Sequence, residues 1–206
     1  MKRAAALCMI MAVVSFLGFV VENIWLAITK GYIDNRNMYA PFLVGYGMAI
    51  LAIYFMFGTP GELTVFGKQT GLSRGRKKVL YFLLVMLCVS LGEIVLGKIV
   101  EHTCHIYWWD YSNLPLHITR YTSIPTTILF STMIVLFMDY IFVPLYNYFL
   151  SWNSRRLYIV AGVLMVIMLG DFVGAAYRMY KGKRVIKKIK VRPISALVAN
   201  ELHLMI

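Results

Sequence analysis

The chain alternates long apolar runs with short polar connections. Five runs are long enough, or nearly so, to cross a hydrocarbon core, which takes about 20 residues as a helix. They lie at residues 4–28, 41–57, 79–100, 122–150 and 157–177. The second is short, and the fourth is long enough to tilt or protrude. Lipid offers the backbone no hydrogen-bond partner, so each run is predicted to be a helix rather than an open strand. Tyr and Trp gather near several run ends (Trp25, Tyr32, Tyr107, Trp108, Trp109, Trp152), where interfacial aromatic belts form. The predicted fold is an all-α polytopic membrane protein of about five transmembrane helices. A single transmembrane domain covers residues 1–180, and a basic tail covers 181–206.

Composition sharpens this reading. Of 206 residues, 60% are hydrophobic and 15% charged, against about 45–50% and about 25% in soluble domains. A chain of this size cannot hide such an excess in one core, which excludes an ordinary soluble enzyme and a disordered chain. Lys and Arg number 21 against 9 Asp and Glu, a net charge of +12. These cations sit in connections and at the ends, where they set orientation and meet the anionic headgroups of the lipid bilayer. No basic-aromatic module accompanies them, so nucleic acid is not an expected partner.

Orientation follows from the loops. Lys2 and Arg3, then Lys68, Arg74, Arg76, Lys77 and Lys78, then Arg155 and Arg156 fall on one side; Lys30, Arg36 and Arg120 fall on the other. The N-terminus and the 58–78 connection are therefore expected in the cytoplasm. The tail runs against the trend. Eight positive residues lie between Arg178 and Arg192, yet five spans carry them to the outer side. Met1-Lys2-Arg3 before an apolar run imitates a signal peptide, but Glu22 within the run and the lack of a small-residue cleavage site favour a retained first span. Cys8, Cys88 and Cys104 show no disulfide spacing.

Ionisable groups within the spans carry the chemistry. A charge at a helix centre costs about 2.5–3.5 kcal/mol or more, so each needs a partner, a proton or water. Glu22 shares a helix face with Ser15 and Gly18, and Glu93 shares one with Ser90 and Gly97. With the N-terminus inside, Glu22, Glu93 and Asp171 fall in the outer halves of their helices, where they can meet beneath the two outer connections. Two readings stay open: a polar cavity for a substrate or proton, or interhelical clasps. Asp139, shortly before Pro144, reads as a clasp or kink partner, and Lys98 lies one turn before Glu101.

The stretch from Glu101 to Pro115 is the richest in functional side chains. Glu101, His102, Cys104 and His105 are metal-ligand types, but no second ligand group lies at zinc spacing, so no metal is predicted. Trp108, Trp109, Asp110 and Tyr111 suit either a binding mouth or an interfacial anchor. Gly61 to Lys68 places five residues between its glycines where a phosphate-binding loop needs four, and Gln69 stands at the Ser/Thr position. No nucleotide or other cofactor is expected. A faint repeat at an offset of 74 matches Leu17-Gly18 with Leu91-Gly92, Val21 with Val95 and Pro41 with Pro115.

Several pieces line up in order: Phe16-Leu17-Gly18-Phe19-Val20-Val21-Glu22, Asn35-Arg36, Tyr39-Ala40-Pro41, Gly45-Tyr46-Gly47, Glu93, Glu101, Trp109-Asp110-Tyr111-Ser112, Pro115 and Ser131. Over roughly residues 10–180 they resemble the type IV ABC-transporter permease family, the CmpB-like bacterial membrane proteins. The sequence departs from that pattern at His102, His117, Ala40 and Thr119, and beyond about Lys181. The resemblance implies a permease-like subunit, and the expected setting is the bacterial plasma membrane. Since the chain carries no nucleotide site, ATP-driven transport would need a separate ATPase subunit, and a second copy in a homo-oligomer is a further candidate partner. The 58–78 connection would be the ATPase dock. The costly intramembrane carboxyls suggest a substrate path lined by Glu22, Glu93 and Asp171 and gated by Asn35, Arg36, Trp109, Asp110 and Tyr111, with Glu101 a further candidate along it. The second class of function is a membrane-embedded enzyme acting on lipid or an envelope precursor, with Glu101, His105 and Asp110 at the interface. The third is a non-catalytic membrane partner.

Overall fold

The computed structural model describes residues 1–34, 36–182 and 189–190. Asn35 and most of the basic tail lie outside the described residues. Among those described, five helical segments are long and apolar enough to cross a membrane. They are α1 (Lys2–Lys30), α2 (Val44–Phe57), α3 (Arg74–Cys104), α4 (Ile124–Leu136) continuing into α5 (Phe142–Ser151), and α6 (Ser154–Tyr180). The protein is a mostly helical, membrane-embedded chain.

The helix ends have local causes. α1 stops at Gly31, whose left-handed backbone (φ 67) returns its N–H to the Ala27 carbonyl. α3 stops the same way at His105 (φ 52), which donates to Glu101 O. α4 starts from a reciprocal cap between Ser123 and Thr126, with Pro125 in the first turn. Between α4 and α5 the helix widens into a π turn over Phe137–Ile141. Pro144 follows immediately and has no N–H to return to the preceding turn, which loosens the ladder there. On α3 the residues at i, i+4 spacing, Val79, Leu83, Leu87, Leu91 and Val95, are all more than half exposed. In a soluble protein this stripe would be a liability; in a spanning helix it is the face offered to lipid.

The chain divides into two compact units, Met1–Met48 with Ser154–Ile206, and Ala49–Asn153. In the first, α1 packs along α6. The start of α2 leans on α1 through Gly47, where a Cβ would stand 2.5 Å from Ser15 Oγ. The 31–43 connection lies over a small core of Met38, Leu43 and Ala175, with Phe19 and Tyr46 against it. A two-residue strand, β1 (Tyr32–Ile33), pairs with a strand of the tail (Ile189–Lys190) and so brings that part of the tail beside the 31–43 connection.

In the second unit, α3 packs along α4. The 58–78 connection is folded rather than slack. It forms a short 3-10 turn (Pro60–Glu62) and a hairpin of β2 (Thr64–Val65) and β3 (Lys68–Gln69). The hairpin is tied by Phe66 N–H to Met56 O at 3.0 Å, and Tyr81 OH, fully buried, donates to Gly58 O at 3.0 Å. Nearby, Lys78 at the start of α3 pairs with Asp139 in the π turn at 2.5 Å. On the opposite end, β4 (His117–Thr119) and β5 (Thr122–Ser123) close the 105–123 connection.

Candidate functional site

The first unit gathers its costly groups in two clusters. Glu22 accepts Arg36 Nε at 2.8 Å and a second bond from the same guanidinium, while Tyr46 OH stands 3.3 Å from its other oxygen. Both side chains of this ion pair are mostly buried, at 19% and 16% exposure. Arg36 is held in a left-handed turn (φ 55) by its own N–H on Asp34 Oδ1. Asp34 N–H in turn donates to Asn23 Oδ1, one residue beyond Glu22 on α1. Burial opposes the Arg36 charge, but the carboxylates of Glu22 and Asp34 outweigh it and raise the guanidinium above its ordinary value.

Asp171 on α6 forms the second cluster. It accepts the Ala40 backbone N–H at 2.7 Å and Arg178 at 3.3 Å. Arg178, about two turns further along α6, also donates to Asn37 O at 2.5 Å and lies over the Tyr39 ring. The 31–43 connection is therefore fastened to α1 by Arg36 and to α6 through Asn37 and Ala40.

The second unit handles its acids differently. Glu101, in the last turn of α3, takes the hydroxyl of Tyr121, and the phenol is pushed up to about 12 by that bond and by burial. Trp109 packs edge-on against Tyr121 and donates its indole N–H to Tyr121 O at 2.9 Å. Asp110 binds the N–H and hydroxyl of Ser112 at 2.9 and 2.6 Å, which hold its carboxyl below the usual value, with Arg120 at 3.5 Å. Tyr111 donates its N–H to Arg120 O, and Arg120 lies over the Tyr107 ring. Glu93, deeper on α3, has Thr122 as a polar neighbour, and its buried Oε2 has no partner among the described residues. His102 and His105 line an open groove of about 500 Å³ with Lys98 and Glu101. No three metal-ligating side chains cluster among the described residues.

The structure thus brings Glu22 to Arg36, and gathers Glu101, Trp109, Asp110 and Tyr111 around the 105–123 connection; Asp171 joins the 31–43 connection by its backbone. Asn35 lies outside the described residues.

A family model described as "Putative ABC-transporter type IV" matches residues 9–176. The chain belongs to this family. The match runs from the first turns of α1 almost to the end of α6 and takes in Glu22, Glu93, Glu101, Asp110 and Asp171. Family membership and the five apolar helices make this a transporter-related membrane protein. No curated protein and no solved structure matches the chain.

Sequence reasoning gave no site role to Tyr46, Tyr121 or Arg178, and it placed Gly97 on the face of Glu93 rather than with Tyr121 and Glu101. It also mistook the repeat. Gly92, matched to Gly18 at the offset of 74, faces open space. Gly18 instead meets Tyr46, and its counterpart Gly97 meets Tyr121; a Cβ would stand 2.6 Å and 2.5 Å from the respective ring Cγ atoms. One turn on, Glu22 and Glu101 take those tyrosines' hydroxyls. The repeated element is Leu17-Gly18-x-x-Val21-Glu22 and Leu96-Gly97-x-x-Val100-Glu101, an offset of 79. The signal was present in the sequence but was masked by Leu91-Gly92.

Proposed function

We propose that the chain is the membrane-spanning permease subunit of a transporter in the bacterial plasma membrane, with ATP hydrolysed by a separate subunit. The observation that carries this reading is the pair of Gly–Glu–Tyr clasps, one in each unit, the first within α1 and the second in the last turn of α3 below which Glu93 lies. An anchor that only held other proteins in the bilayer would have no use for acids such as Glu22 and Glu93 within its apolar spans. In the first unit the Glu22–Arg36 and Asp171–Arg178 pairs, and in the second Glu93, Glu101, Trp109, Asp110 and Tyr111, are the proposed substrate-contacting residues. The Gly61–Lys68 segment runs from a 3-10 turn into a hairpin, a different arrangement from a strand–loop–helix phosphate cradle. The proposed dock for the ATPase is that hairpin, with Phe66 at its tip 74% exposed and Lys68, Arg74 and Arg76 around it.

The test is affinity capture of the full chain from native membranes with identification of co-purifying proteins. An ATPase subunit that is lost from the Phe66→Asp variant supports the reading; capture of no ATPase from membranes in which the chain is intact overturns it. A second reading is favoured by the groove of Lys98, Glu101, His102 and His105, whose side chains suit acid-base work on a lipid headgroup or envelope precursor. Turnover of such a substrate by purified protein without ATP would decide for it.

A further inference from the structure

The α3–α4 interface holds a row of oxygen-bearing side chains around Glu93, a residue of the proposed path whose partners that reading leaves unexplained. Ser90 and Glu93 lie one turn apart on α3; Thr127 and Ser131 lie one turn apart on α4, with Thr122 just ahead of that helix. Ser90 Oγ is 3.2 Å from Thr127 Oγ1, which is 3.0 Å from Thr122 Oγ1. Thr122 is the polar neighbour of Glu93. Thr122 and Ser131 are fully buried and Thr127 is 2% exposed. Two atoms of the set, Glu93 Oε2 and Ser131 Oγ, are buried without a partner among the described residues. Buried polar atoms are rarely left so, and an unpaired one needs an explanation.

Among the described residues no cation pairs with Glu93. From α4 and β5 the row takes the hydroxyls of Thr122, Thr127 and Ser131. On α3, Lys98 and Glu101 line the outer groove, and Glu101 holds Tyr121. Arg120 pairs with Asp110, and Lys78 with Asp139. Glu22 and Asp171 each have an arginine; Glu93 has hydroxyls. A carboxylate in that setting is costly, whereas a carboxylic acid carries no charge and gains a donor. A hydroxyl both gives and accepts a hydrogen bond, and in each of the two O···O contacts either atom can be the donor. A row of them can therefore reverse its direction as a proton passes.

We propose that Glu93 is a proton-binding site at bilayer depth and that the Thr122–Thr127–Ser90 row is the route by which its proton exchanges. The carboxyl gives its proton to Thr122 Oγ1, each hydroxyl of the row gives up one O–H proton as it gains another, and Ser90 Oγ passes the last to a water molecule, so that no bond other than O–H is made or broken. This goes beyond the permease reading, since it stands whichever source of energy drives transport.

The test uses the full chain in liposomes. Dicyclohexylcarbodiimide attacks protonated carboxyls in apolar surroundings, and peptide mass spectrometry locates the adduct. Labelling is expected at Glu93, falling as the pH is raised and absent in Glu93→Gln, while Glu22 and Asp171 stay unlabelled. In the infrared, the same protein should show a protonated-carboxyl band that Glu93→Gln removes. Its shift on transfer to heavy water should slow several-fold in Thr127→Val, a change that a purely structural threonine would not produce. Glu93 unlabelled at every pH, or labelled no more than Glu22, overturns the proton site. An exchange rate unchanged in a folded Thr127→Val overturns the route.

Discussion

The two units begin from the same six-residue element and complete it differently. In the first, Leu17-Gly18-x-x-Val21-Glu22 receives Tyr46 and then Arg36, so its glutamate ends in a buried ion pair. In the second, Leu96-Gly97-x-x-Val100-Glu101 receives Tyr121, while Arg120 turns away to Asp110 and Tyr107. The glycine makes both possible, since the tyrosine ring lies where a Cβ would be. What differs is the cation. A carboxylate met by an arginine is a fixed joint; one met only by hydroxyls stays free to change its protonation or its partner.

Removing the cation is the largest way to break the contrast. Arg36→Ala leaves Glu22 charged and mostly buried, and should cost about 3 kcal/mol, read as thermal unfolding in detergent. Adding Glu22→Gln should restore much of the loss, because the orphaned charge is then gone. Next comes the glycine. Gly97→Ala forces the Tyr121 ring aside and should cost about 2 kcal/mol, whereas Gly92→Ala, with open space around it, should stabilise slightly through helix propensity. The reverse order would restore the offset of 74. Tyr121→Phe removes only the hydroxyl on Glu101 and should cost about 1 kcal/mol, leaving the ring on Gly97 in place.

The smallest effect concerns Asp110. Its carboxyl is held below the usual value by Ser112, so the stabilisation of that turn is present above the unfolded pKa and is lost as pH falls through the folded one. Ser112→Ala should move that loss to higher pH, seen in the fluorescence of Trp108 and Trp109 on acid titration. An unchanged titration would mean that Ser112 does not hold the carboxylate.

The helices were legible because span length and apolarity are local properties of the chain. The cost of Glu22, Glu93 and Asp171 was legible for the same reason. Their partners were not. Asp171 is met by the backbone N–H of Ala40, 131 residues away, and a backbone amide has no side-chain signature. Arg178 read as the first charge of a basic tail, though it folds back onto Asp171 and Tyr39. The π turn over Phe137–Ile141 was foreshadowed by Pro144, but its pairing with Lys78 depends on α3 and could not be read from α4 alone.

The 31–43 connection has a mechanical consequence. Fixed to α1 at Arg36 and to α6 at Asn37 and Ala40, it acts as a crossbar between two uprights. The ends it joins cannot be prised apart without breaking either the ion pair on α1 or both backbone anchors on α6, so widening between these helices costs less at the other end.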